Sequence, residues 1–235
     1  FTREKNLFAN KVNQKINLVI ESSGIKKIQN LLKKKSKQNK FKSIITHTYD
    51  KSDINLIYGV NDHLLDKMNH NIISSSICDA VATGPIIKII DDNFKIIDGS
   101  IITLHPWLSY QNLIDGPSRS FAYPGEIIEN FSLGRASTET LIPKSTSCVK
   151  ALSKSMPNIE KKFISMSVRV PTQIVSAAIL NFKLNKKINK TLLNREINKF
   201  INRQSFNIIS INNDQCISKD FIANKYSCII DNRWT

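Results

Sequence analysis

The chain of 235 residues contains no Gly-x-Gly-x-x-Gly. A dinucleotide-binding domain uses those glycines to bring backbone close to a pyrophosphate at a helix N-terminus. That cradle is therefore not expected within the chain as given. There is no Cys-x-x-Cys, and the four cysteines, Cys78, Cys148, Cys216 and Cys228, lack metal-ligand spacing. Neither a metal site nor a redox pair is expected, and a reduced, cytoplasmic setting is the simplest fit. No apolar run is long enough to cross a bilayer, so no membrane partner is expected. The opening residues, Phe1-Thr-Arg-Glu-Lys5, do not read as a signal peptide. Acidic residues are in the minority, 19 against 34 Lys and Arg, for a formal charge of +15. Such a balance suggests a polyanion partner. Most of the basic residues are Lys in a chain rich in Ile and Asn, a bias that AT-rich coding sequence produces without selection for nucleic acid. No aromatic-interleaved basic motif accompanies it, so nucleic acid is not the expected partner.

What is present centres on Asn71-Ile-Ile-Ser-Ser-Ser-Ile-Cys78-Asp-Ala-Val-Ala-Thr-Gly-Pro85. An apolar run ends, a Ser cluster follows, and a single Cys opens a helix that continues through Ile86, Ile87, Ile89 and Ile90. A Cys in the first turn faces unpaired backbone N–H groups and the positive end of the macrodipole. Both favour the thiolate, which is the nucleophile. Taken alone, Cys78 reads more readily as a small buried apolar residue.

Upstream, Ile16–Ile20 reads as a strand ended by Glu21-Ser-Ser-Gly24. Ile25, Ile28, Leu31 and Leu32 fall at helical spacing, with the Lys-rich run from Lys26 to Lys42 as that helix's solvated face. Phe41–Ile45 and Asn55–Tyr58 read as further strands. Strand, helix, strand is the crossover of a parallel sheet. Downstream, Phe163–Val170 and Ile174–Leu184 suit an antiparallel or mixed sheet with one solvated face. Thr191–Ile201 reads as a helix and Phe206–Ile211 as a strand.

The order of motifs resembles the glyceraldehyde-3-phosphate dehydrogenase family. After Cys78 come Asp92-Asn-Phe94, Thr103-Leu-His105 and Asp115-Gly-Pro-Ser118, then Leu133-Gly-Arg-Ala-Ser137, Leu141-Ile-Pro-Lys-Ser-Thr146 and Val168-Arg-Val-Pro-Thr172. Ile20-Glu-Ser-Ser-Gly24 and Tyr58-Gly-Val-Asn61 resemble pieces of the family's dinucleotide domain, and Asp220–Asp231 a late strand region. The resemblance implies an α/β plus α+β fold. Residues 1–74 would be the second half of a Rossmann-type domain, and residues 75–235 a catalytic domain whose mixed or antiparallel sheet is covered by helices. It also implies that the chain is the middle of a longer protein or one piece of a split one.

The resemblance further implies NAD or NADP as cofactor, an aldehyde as substrate and a homotetramer as assembly. Cys78 takes the place of the nucleophile and His105 that of the base. Arg135, Arg169, Thr146, Ser147 and Asp79 fall at substrate- or phosphate-binding positions, and Ser22, Ser23, Gly24 and Thr48 at cofactor-binding ones. Where the family has Ser-Cys-Thr-Thr-Asn, this chain has Ile77-Cys78-Asp79-Ala80-Val81. Two of the hydroxyls that contact phosphate in the family are gone, and Asp79 adds a charge that repels phosphate and raises the thiol pKa. Leu108 and Tyr110 replace threonines, and the longer Ser118–Gly134 segment adds Phe121, Tyr123 and Glu126. The expected function is a cysteine-thioester aldehyde oxidoreductase with altered phosphate sites. The alternatives are a phosphorylating glycolytic enzyme and a catalytically silent binding protein.

Overall fold

The computed structural model describes residues 17–39, 41–120 and 122–235. The opening residues, Ile16 of the first expected strand, and Phe121 lie outside the described residues.

The N-terminal part is a four-stranded parallel sheet. Its strands are β1 (Leu18–Glu21), β2 (Lys42–Ile45), β3 (Ile54–Asn55) and β4 (Ile72–Ser74), in the order β1-β2-β4-β3. Helix α1 (Lys26–Asn39) makes the expected crossover between β1 and β2. It turns buried Leu32 and Gln29 inward and exposes Lys27 and Lys34. The basic run does not stay helical to its end. Lys42 begins β2, and its ammonium bonds the His70 carbonyl at 2.9 Å.

The third strand is shorter than its apolar run suggests. The Asn61 side chain accepts from the Ile57 N–H at 2.9 Å and donates to the Asn55 carbonyl at 2.9 Å, turning the backbone before a ladder can extend. Leu56 still donates to the Ser74 carbonyl at 2.8 Å, and Ile57 leaves the sheet to pack in the main core, because a side-chain amide can replace strand hydrogen bonds.

Helix α2 (Cys78–Phe94) follows β4 and buries Ala80, Ile86, Ile87, Ile89, Ile90 and Phe94. Gly84 is the point of closest approach: a Cβ there would stand 3.2 Å from Leu152 Cδ2 and 3.3 Å from Val60 Cγ2. Leu152 belongs to α3 (Cys148–Ser153), which packs on α2 in the main core with α4 (Lys190–Ile201).

The second sheet has the order β6-β7-β5-β8. Its strands are β5 (Ile96–Pro106), β6 (Ile142–Lys144), β7 (Phe163–Val170) and β8 (Ala177–Leu184). β5 is parallel to β7 and antiparallel to β8, and β6 is antiparallel to β7. This is the mixed sheet expected. One face lies on α2 and α3; the other exposes Ile164, Met166 and Ile179. β8 begins later than its apolar run because Val175 has a φ of +71°, which no strand ladder accepts. The last pair is β9 (Ile209–Asn212), parallel to β10 (Cys228–Asp231). β9 starts after Ile208 because the Gln204 side chain accepts from both the Ile208 and Ile209 N–H groups.

Candidate active site

Cys78 is the first residue of α2, at the end of β4. The chain reaches it through Ser76, which is fully buried and has a φ of +66°. Around that kink the Ser74 hydroxyl donates to Asn55 Oδ1 at 2.8 Å, and Asn55 Nδ2 lies 3.4 Å from Ser76 Oγ. The last turn of β4 is thus held to β3, and the helix start is aimed outward. Cys78 itself is exposed.

His105 sits near the end of β5, where the register pairs it with Arg169 of β7 and Arg169 with Ile142 of β6. Both His105 and Arg169 are buried. His105 Nδ1 lies 3.2 Å from Ser176 Oγ, and Arg169 Nη1 donates to the Pro106 carbonyl at 3.1 Å.

Asp79 joins the two halves. Its Oδ1 lies 2.7 Å from His105 Nε2 and 3.6 Å from the Cys78 sulfur. Its Oδ2 accepts from the Thr146 hydroxyl at 3.2 Å. The Thr146 oxygen in turn accepts from the Cys148 N–H at the start of α3. A carboxylate in the first turn of α2 also suits the positive end of the helix dipole. Nε2 of the imidazole is therefore engaged by a carboxylate.

The electrostatics follow from this packing. Burial alone would push the Asp79 carboxyl up, but the His105, Cys78 and Thr146 hydrogen bonds and the His105 charge outweigh it and hold it below its ordinary value. Its stabilising contribution is present above the carboxyl's unfolded pKa and is lost as pH falls through the lowered folded one. Desolvation and then the Asp79 charge push the Cys78 thiol up, against the smaller opposing effects of a backbone N–H and Arg169. Lys144 on β6 is pushed down by burial and by Arg169, and it feels the charges of Asp79 and Cys78.

The other sequence-derived positions are placed as follows. Thr146 is in the cluster and Ser147 is exposed beside it. Arg135 is exposed in the loop before β6, with its Nε 2.9 Å from Asp115 Oδ2. Ser22, Ser23 and Gly24 follow β1 and Thr48 follows β2, at the carboxyl ends of neighbouring parallel strands. The Ser23 hydroxyl is spent on Glu21, whose other oxygen lies 3.1 Å from His47 Nε2.

Cysteine spacing gave no metal-ligand pattern, yet Cys78, Asp79 and His105 bring three ligand atoms within 4.8 Å of one another. A rule based on Cys intervals misses a set completed by a histidine on another strand. Sequence reasoning also passed over Lys144 and Ser176. Ser176 lies 71 residues from His105, so only the fold brings them together.

The thiol pKa values predict the order of alkylation. Burial pushes Cys148 up to about 12 and Cys228 up to about 11. Iodoacetamide should label Cys78 of the full-length protein before either, because Cys78 is the exposed one. The rate should keep rising with pH beyond the range of an ordinary cysteine, since the thiolate is the reacting form. Peptide mass spectrometry checks this. Labelling that falls first on Cys148 or Cys228 with Cys78 untouched rejects it.

The family model described as "Glyceraldehyde 3-phosphate dehydrogenase, C-terminal domain" matches residues 77–235. Among curated proteins, glyceraldehyde-3-phosphate dehydrogenase 2 of Streptomyces avermitilis is 27% identical over 220 residues, covering 94% of this chain and 63% of the relative. Glyceraldehyde-3-phosphate dehydrogenase 4 of Caenorhabditis elegans is 31% identical over 175 residues, covering 74% and 49%. Glyceraldehyde-3-phosphate dehydrogenase 2 of Staphylococcus epidermidis is 31% identical over 195 residues, covering 83% and 53%. The chain thus spans about half to under two thirds of the length of these relatives.

Proposed function

The chain belongs to the glyceraldehyde-3-phosphate dehydrogenase family, and from that premise we propose that its full-length protein oxidises an aldehyde through Cys78, with little use of inorganic phosphate. The observation that carries the second half is the Asp79 carboxylate held between His105, Thr146 and Cys78. It puts a fixed anion beside the thiol and takes the hydroxyl of Thr146, a residue the family resemblance assigns to phosphate.

The Cys78 sulfur adds to the aldehyde carbon, giving a tetrahedral thiohemiacetal that becomes a thioester once hydride has left. The Cys78 proton passes through solvent to the carbonyl oxygen as the sulfur attacks, and water later takes the acyl group from the thioester, giving the carboxylic acid and restoring the thiol. Nε2–H of His105 donates to Asp79, so the hydroxyl proton reaches the ring at Nδ1, by way of the Ser176 hydroxyl, as the thioester forms. Arg169 and Lys144 supply positive charge for an anionic substrate group, Arg through its planar fork.

NAD or NADP, when bound, supplies the hydride acceptor. The residues present fit one side of a dinucleotide: Gly24 has a φ of +73°, and the exposed Ser22 and half-buried Thr48 lie at the carboxyl ends of parallel strands. We take residues 1–74 as that part of the cofactor domain and residues 75–235 as the catalytic domain. The exposed apolar face of the second sheet, with Ile164, Met166 and Ile179, would be covered in a homo-oligomer. A cytoplasmic setting goes with this reading.

Steady-state assays of the full-length protein test it, using glyceraldehyde 3-phosphate and a panel of other aldehydes with and without inorganic phosphate. Turnover with weak phosphate dependence is expected. Ordinary turnover with saturable phosphate dependence restores the glycolytic reading. One observation favours a catalytically silent binding protein, namely that His105 Nε2 is already engaged by Asp79. No turnover on any aldehyde would support that reading.

A further inference from the structure

Among the described residues, Cys78, Asp79 and His105 alone bring a thiol, a carboxylate and an imidazole together at metal-ligand range. We propose that these three side chains form a binding site for a divalent transition-metal ion of the zinc type, and that the bound ion holds the Cys78 thiolate in a blocked form. The proposal does not depend on which aldehyde the protein uses.

The geometry is close to what such an ion requires. Zinc takes sulfur at about 2.3 Å and imidazole nitrogen or carboxylate oxygen at about 2.0–2.2 Å, usually tetrahedrally. Ligand atoms around it then stand roughly 3.3–3.7 Å apart. Cys78 Sγ and Asp79 Oδ1 are already 3.6 Å apart. The Asp79–His105 distance of 2.7 Å has to open by under about 1 Å to admit the ion. Cys78 is exposed, which gives an entry path and leaves a fourth position for water.

Two of the three ligands have an outer partner. The Asp79 oxygen turned away from His105 accepts from Thr146, and His105 Nδ1 faces Ser176. Such contacts fix ligand orientation and, for histidine, the tautomer. Binding displaces the thiol proton of Cys78. In the neutral His105 ring the proton moves from Nε2, where Asp79 accepts it, to Nδ1, where Ser176 Oγ accepts it. One thiolate, one carboxylate and a neutral imidazole then balance a divalent charge. A mixed sulfur, nitrogen and oxygen set favours zinc or cobalt over magnesium or calcium, which prefer oxygen alone. The positive charges of Arg169 and Lys144, which act on Cys78 and Asp79, oppose the cation. They set a limit on its affinity.

The full-length protein, stripped with a chelator, should bind one zinc ion per chain in competition with a chromophoric chelator. Cobalt should give a thiolate-to-metal charge-transfer band. Affinity should rise with pH, because a proton is displaced, and zinc should protect Cys78 from iodoacetamide. Asp79→Thr should weaken binding by about 10–100-fold or more, at least the effect of losing an outer-shell partner. Asp79→Asn, closer in shape, serves if the Thr variant does not fold. Cys78→Ser should remove the charge-transfer band, and Cys148→Ser should leave it intact. Absence of stoichiometric binding overturns the proposal. So does binding that survives both the Asp79 and Cys78 substitutions, which places the ion elsewhere.

Discussion

Cys78→Ser in the full-length protein should lower aldehyde oxidation by roughly 10⁴-fold or more, the scale seen when a covalent nucleophile is removed from a catalytic unit. Serine is nearly isosteric, and the thiol's hydrogen bond is to Asp79. The fold and the Asp79–His105 pair should therefore remain. What disappears is the nucleophile: a hydroxyl has no appreciable anion near neutral pH and no free base aimed at it, because His105 Nε2 faces Asp79. Turnover measured on the most active aldehyde, with thermal unfolding as a control on the fold, reads the effect. A serine variant within about tenfold of the parent would exclude the thioester route.

Asp79→Thr should act in the opposite direction, raising phosphate-dependent activity by about 10–100-fold. Asp79 opposes phosphate use in three ways. It adds a fixed negative charge, occupies the Thr146 hydroxyl, and raises the thiol pKa. A hydrogen bond to a charged group contributes roughly 1.5–3 kcal/mol. Recovering one such bond corresponds to about one to two powers of ten at about 1.4 kcal/mol for each. The readouts are kcat/KM for inorganic phosphate and the iodoacetamide rate near neutral pH; both should increase. The substitution also breaks a buried contact, so some loss of thermal stability is expected. Asp79→Asn separates charge from shape. If neither variant gains phosphate dependence, Asp79 is not what excludes the anion.

The parts of the fold that show in the sequence are those where one local pattern decides. The β1–α1–β2 crossover and β7 carry clean periodicities, and α2 begins where its Ser cluster meets a run of small and apolar residues. The ends of β3, β8 and β9 were misplaced because side-chain hydrogen bonds from Asn61 and Gln204, and the positive φ of Val175, compete with the ladder. At the site, Asp79 could be read as a charge beside Cys78 because the two are neighbours in sequence. Its bonds to His105 and Thr146 could not, since they depend on how β5 and the start of α3 meet the first turn of α2. Lys144 was likewise hidden, as nothing in a Pro-Lys-Ser stretch says that the ammonium becomes half-buried near Arg169.

The site hangs on two residues held at positive φ, Ser76 at +66° two positions before Cys78 and Val175 at +71° next to Ser176. A left-handed conformation outside glycine costs on the order of 1–3 kcal/mol, and valine is among the least suited to it. Two of them amount to roughly 2–6 kcal/mol, set against the roughly 5–15 kcal/mol by which a native protein exceeds its unfolded state. The alignment of thiol, carboxylate and imidazole is thus stored elastically in the surrounding sheets. It belongs to neither loop alone.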